Sequence, residues 1–228
     1  MTPAPQSGSN PDSQNLTVKQ QRQVQRDKKL EAFRKEQKRA VRNRKIGISV
    51  AIVAAVAVVG LVVTSVVLTP QKASYTAGGT GAKIEGVQTF TNGAGHVQTP
   101  VTYPQTPPAG GEHNPTWLNC GVYNKPVPNE NAVHSLEHGA IWVTYDPSLS
   151  AAELATLKSK LPSTYTVLSP FKDLPAPIVL SGWNTQLKVK KADDPRIAKF
   201  FEEYWKSANV PEPGSPCTGA LDAPGKVS

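Results

Sequence analysis

Asn129-Glu130-Asn131-Ala132-Val133-His134-Ser135-Leu136-Glu137-His138-Gly139-Ala140-Ile141-Trp142-Val143-Thr144-Tyr145 carries a helix start, a helix stop and a strand in succession. Asn129 is placed to cap a short helix over 130–138, because its side-chain oxygen suits the free amides of a first helical turn. Gly139 ends that helix, since glycine takes the left-handed conformation that closes helices at little steric cost. Residues 140–145 are β-branched and aromatic with no charge, the composition of a buried strand. Trp142 alternates with Ile141 and Val143, so it is expected on the opposite face and partly exposed.

On the carboxyl-terminal side, Ser150-Ala151-Ala152-Glu153 reads as a capping box, with Leu154, Leu157 and Leu161 on one face before Pro162. Strands are expected over 165–168, 178–181 and 185–189. A last helix has Asp194 as cap and Pro195 at its first position, with Ile197, Phe200, Phe201, Tyr204 and Trp205 at helical spacing. That period favours core packing over a ligand box. From about residue 208, Pro211, Pro213, Pro216 and Pro224 leave only an irregular strap, pinned by Cys217.

On the amino-terminal side, 86–90 and 97–103 read as two β-stretches joined by a turn containing Asn92-Gly93. Residues 104–129 are dense in Pro and Gly and form a long loop ordered by Trp117, Cys120 and Tyr123. The fold class is therefore α+β: a single domain over 84–228 with a mixed or antiparallel sheet and two covering helices.

Residues 46–69 contain no charge and no proline across 24 positions. As a helix they span about 36 Å, enough to cross a hydrocarbon core of about 30 Å. A cleaved signal peptide has a shorter apolar region and a short leader, which favours an uncleaved single-pass anchor here. Residues 1–45 hold 12 of the 25 Lys/Arg and four of the 17 acids, so the whole net charge of +8 sits there and the remainder is neutral. The positive-inside rule then leaves 1–45 cytoplasmic and the domain extracytoplasmic, in the cell membrane.

Within the leader, 1–15 is polar and expected to be disordered, and 16–45 reads as a basic helix. Its cations over 19–45 suit anionic lipid headgroups, at about 1 kcal/mol each near the surface, with a calmodulin-like target as the rival reading. No nucleic-acid partner is expected of a neutral main domain. Residues 70–83, with Gly78, Gly79 and Gly81, read as a flexible tether. Outside the cell, Cys120 and Cys217 most simply form a disulfide, with Cys120 as a metal thiolate or nucleophile as the rival.

The chain has four histidines: His96, His113, His134 and His138. On a helix, His134 and His138 at i and i+4 point to one side, and Glu137 at i+3 from His134 shares that face. The resulting His-x-x-Glu-His pattern is that of inverted zinc peptidases, in which zinc acidifies a water and the glutamate takes its proton. Here it sits on barely two turns that run straight into a strand.

Gly95-His96-Val97, Pro107-Pro108-Ala109-Gly110-Gly111-Glu112-His113, Gly121-Val122-Tyr123 and Val133-His134-Ser135-Leu136-Glu137-His138-Gly139, behind one apolar span, resemble an actinobacterial membrane family known as domain of unknown function 3105. The likeness covers roughly 84–205. It implies an exported, membrane-anchored domain with the four histidines as a recurring set, and implies no activity.

Three classes of role stay open. A shared zinc or copper site on His96, His113, His134 and His138 would use Glu137 as support, bonded to a backbone or histidine N–H. A zinc-dependent hydrolase would need an open metal position facing Glu137 as general base. A structural or interaction module of the cell envelope, its partner unnamed, would expose Trp117, Tyr123 and Trp142. With methionine only at position 1, a thioether copper(I) carrier is disfavoured, and a blue-copper centre would need Cys120 free.

Overall fold

The computed structural model describes residues 17–68 and 72–228, so the disorder expected over 1–15 lies outside the described residues. The chain divides into two compact units, residues 1–69 and 70–228, taken in turn below. In the first, a single helix α1 (Val18–Leu68) joins the basic and apolar stretches without a break. Thr17 opens it, its amide donating to Gln20 Oε1 at 2.9 Å, one half of a capping box. By length and composition this helix can cross a membrane, as an anchor or a signal sequence equally.

The second unit is built on a six-stranded mixed sheet. Its strands are β1 (Val87–Thr89), β4 (Gly121–Val122), β5 (Ile141–Tyr145), β6 (Thr166–Pro170), β7 (Ile178–Gly182) and β8 (Thr185–Val189), in the order β1-β8-β7-β5-β6-β4. β6 runs parallel to β4 and β5; the other pairs are antiparallel. Two further strands, β2 (Ala94–His96) and β3 (Gly111–His113), form a separate parallel pair. The helices are α2 (Asn129–Glu137), α3 (Ala151–Ser159) and α4 (Arg196–Tyr204).

Alternation along β5 splits the core. Ile141 and Val143 join Leu157 of α3 and Ile197, Phe200 and Phe201 of α4 on one face. Trp142 joins Ala132 and Leu136 of α2, with Leu118, Tyr123, Cys120 and Cys217, on the other. Three helices therefore cover the sheet, not two. Trp142 faces away from Ile141 as expected, but it is 0% exposed and its indole N–H donates to Ser169 Oγ at 2.9 Å. Tyr123 is equally buried, its hydroxyl donating to the Asn119 carbonyl at 2.6 Å. Two of the three aromatics expected in an exposed patch are therefore buried, because α2 and the carboxyl-terminal strap lie over that face, while Trp117 stays partly exposed.

The strap is fastened by the disulfide Cys120–Cys217, 97 residues apart in sequence, which leaves neither cysteine as a thiolate. Beside it, the Cys120 amide donates to the Cys217 carbonyl at 2.7 Å, and Leu118 and Tyr123 bridge to Leu221 and Lys226.

The hairpin expected between 86–90 and 97–103 does not form. β1 is taken up by β8, Val87 facing Leu187, while Pro100 removes one donor from the second stretch and Val97 N–H is spent on the His113 carbonyl. The Val101 amide donates instead to Glu130 Oε1. Pro128, not Asn129, stands at the start of α2, its carbonyl accepting from Ala132 N–H, and no side chain caps the helix. In α3, Ser150 Oγ accepts from the Glu153 amide as expected, but the Glu153 carboxylate accepts from Ala192 N–H. Pro195, not Asp194, stands at the start of α4, and no side chain caps that helix; Asp194 Oδ1 accepts from the Arg196 amide one residue further on.

The described part of the expected tether is docked on its own unit. Tyr75 stacks on Phe201, and Glu203 accepts from the amides of Thr80, Gly81 and Ala82.

Candidate metal centre

Three short elements carry the site. The parallel register of β2 and β3 puts His96 beside His113, and Val97 N–H extends the pair by donating to the His113 carbonyl at 2.7 Å. The approach to β3 is buried over 107–110, where Asn184 N–H donates to the Ala109 carbonyl and Gln186 Nε2 to the Pro107 carbonyl. Gly110 turns there at φ 131°, with side-chain atoms of Asn92 and Asn184 at 3.2 Å from where a Cβ would stand. α2 then presents His134 and Glu137 from one face, three residues apart.

His113 is 0% exposed, and His134 and Glu137 are buried; the His96 side chain is 44% exposed and forms the open side. The imidazole rings of His96, His113 and His134 stand 4.9 Å apart, centroid to centroid, in all three pairings. One ligand atom from each of these rings and from Glu137 lies within 4.8 Å of every other, so this group could hold a metal ion.

Backbone carbonyls fix which ring nitrogen faces inward. His113 Nδ1 is 2.7 Å from the Gly111 carbonyl, His134 Nδ1 2.7 Å from that of Asn114, and His138 Nδ1 2.7 Å from that of Pro216. A carbonyl only accepts, so each Nδ1 carries the proton and, in the neutral ring, each Nε2 keeps its lone pair. This is the support that orients metal-bound histidines. His113 Nε2 faces Glu137 Oε2 at 2.7 Å, and His96 Nε2 lies 3.5 Å from the same oxygen. Two buried acceptors at 2.7 Å repel unless a cation or a proton lies between them.

Burial lowers the His134 pKa from its usual value, outweighing the hydrogen bond to Asn114, which raises it; nearby His138 and His113 lower it further. The ring stays neutral further into acid, with its lone pair free. Around the group, Trp183 meets His113 edge-on at 5.7 Å, and Trp117 leans on His134 and His138 at 5.9 and 5.2 Å.

The four histidines do not form one set. His138 caps α2 and lies outside the first group, where Glu137 takes its place; it groups instead with His134 and Glu212. Glu137 meets His113 on Nε2, the ring nitrogen opposite the one bound to the Gly111 carbonyl. Sequence reading passed over Glu212, which only the disulfide-fastened strap brings near, and over the three carbonyls, which leave no signal in side-chain identity.

Against known proteins, residues 96–219 match a family model described as a protein of unknown function (DUF3105). The match begins at His96 and runs through Glu212 and Cys217, further along the chain than the 84–205 read from motifs. No curated protein and no solved structure matches the chain.

Proposed function

The chain belongs to the DUF3105 family of proteins of unknown function, so its role has to be read from its own donor atoms, and we propose that it is a membrane-anchored, extracytoplasmic metal-binding protein. His96, His113 and His134, through Nε2, and Glu137 hold one zinc or copper(II) ion. The observation that carries this reading is the facing pair of buried acceptors, His113 Nε2 and Glu137 Oε2, 2.7 Å apart with Nδ1 already committed to Gly111. A divalent cation resolves that repulsion by accepting from both.

The donors are imidazole and carboxylate, with both cysteines tied in the disulfide and methionine only at position 1. Such a set suits zinc and copper(II) and lacks the sulfur that copper(I) prefers. Glu137 at 2.7 Å from a ligand nitrogen serves better as a ligand than as a general base beyond an open position, so a binding role is favoured over hydrolysis.

The apolar part of α1 anchors the protein, the basic stretch stays cytoplasmic with Arg42, Arg44 and Lys45, next to the span, near anionic headgroups, and 70–228 lies outside. The basic excess on one side of the span supports this orientation. Protease added to intact cells should then degrade the domain and spare the leader.

The function is tested by metal content of the full chain in detergent after dialysis against zinc or copper, beside His96→Ala/His134→Ala. One equivalent retained by the wild type and lost by the variant is the expected result. Equal metal in both, or none in the wild type, would sink the proposal.

A further inference from the structure

A second donor group lies beside the first and shares a residue with it. His138 Nδ1 donates to the Pro216 carbonyl at 2.7 Å, so in the neutral ring Nε2 is an acceptor; it faces Glu212 Oε2 at 3.2 Å. The same unresolved meeting of lone pairs therefore occurs twice in this small region. His134 completes the second group: its ring stands 4.6 Å from that of His138 at 89°, and ligand atoms of His134, His138 and Glu212 all lie within 4.8 Å. The two rings are buried, while the Glu212 side chain is 44% exposed.

Glu212 is held in place by the strap. Its amide donates to the Glu137 carbonyl at 3.2 Å, its carbonyl accepts from Ser215 N–H, and Cys217 follows in the disulfide. One backbone bond thus ties the outer carboxylate to the residue that supplies the inner one.

We propose that His134, His138 and Glu212 form a second, outer seat for a divalent zinc-like cation, alternative to the inner seat because both use His134. This rests on the metal-binding reading of the inner group. With Nδ1 committed to Asn114, His134 has one lone pair to offer, and one lone pair binds one ion. The protein therefore holds a single ion at a time, in either of two places. The outer seat has three protein donors against four and an exposed carboxylate, so it is the weaker and the more readily exchanged.

The test titrates four full-length proteins in detergent with cobalt(II), whose visible bands report its coordination, and then with zinc as competitor. They are wild type, Glu212→Gln, His96→Ala/Glu137→Gln, and that double variant with Glu212→Gln added. His96 and Glu212 are at least two-fifths exposed and Glu137→Gln keeps its shape, so none empties the core; circular dichroism checks each fold.

Removing ligands costs at least what removing their hydrogen-bond partners does, about 10–100-fold in affinity. Wild type and Glu212→Gln should each bind one equivalent with similar affinity. The double variant should keep one equivalent, weaker by about 10–100-fold, and the triple should lose about a further tenfold or more. A double variant that binds nothing, or a triple that binds as well as the double, overturns the outer seat and leaves the inner one standing. A wild type that binds no cobalt overturns both.

Discussion

His113 Nε2 and Glu137 Oε2 meet at 2.7 Å inside the domain, while His113 Nδ1 is bound to the Gly111 carbonyl on its other side. The neutral ring has no proton to offer the carboxylate. Glu137→Gln supplies one from its amide, so the metal-free variant should be at least as stable as metal-free wild type, by up to about 1–3 kcal/mol. Its zinc affinity should fall about tenfold or more. Urea unfolding with chelator present measures the first. A loss of about 3–5 kcal/mol would mean instead that His113 is an imidazolium paired with Glu137.

Gly139 lies at φ 92°, and a Cβ there would stand 3.1 Å from Lys206 Cα. Its amide donates to the Leu136 carbonyl and its own carbonyl accepts from Lys206 N–H at 2.8 Å, so α2, β5 and the end of α4 meet at this residue. Gly139→Ala should cost about 1–2 kcal/mol from left-handed strain, more if the Lys206 backbone has to move. Thermal unfolding reads the loss; an unchanged midpoint would contradict it.

The disulfide holds Pro216 against His138 as well as closing a long loop, so its reduction should act on both stability and the site. For a sequence separation of 97 residues, the chain-entropy model gives about 4–5 kcal/mol. Denaturant unfolding with and without reductant should show a loss of that order. A loss below about 1 kcal/mol would show that the strap is held without the bond.

Asp194 pairs with Arg196 at 2.6 Å and accepts from its amide, and the hydrogen bonds from Arg196 hold its carboxyl below the usual carboxylate range. Its contribution is therefore present above the unfolded-state pKa of about 3.9 and is lost as pH falls through the lower folded-state value. Asp194→Ala should cost about 1 kcal/mol at neutral pH through the hydrogen bonds lost from Arg196. Asp194→Asn should keep the bond from the Arg196 amide and flatten the acid limb of the stability curve below about pH 4. An acid limb unchanged in both variants would contradict the assignment.

The sheet was legible where side chains repeat at the period of their element: the Ile197, Phe200, Phe201 spacing of α4, the β-branched run of β5, and the strands β6, β7 and β8. What was not legible has physical causes. Ala94-Gly95-His96 and Gly111-Glu112-His113 lack the branched residues that mark strands, so the parallel pair that carries two histidines has no local signature. The alternation of Trp142 with Ile141 identified its face, but not that a helix and a disulfide strap would cover it. Sequence grouped all four histidines in one shared site; the fold gathers His96, His113 and His134 with Glu137 and sets His138 with His134 and Glu212, an arrangement that spacing along the chain does not encode.

The most direct test of the metal centre is the X-ray absorption spectrum of the zinc-loaded full chain in detergent at the zinc edge. Four nitrogen and oxygen neighbours at about 2.0–2.2 Å are expected, with outer-shell scattering from imidazole rings that falls in His113→Ala and His134→Ala. A zinc shell of water oxygens alone, with no imidazole scattering, would contradict it.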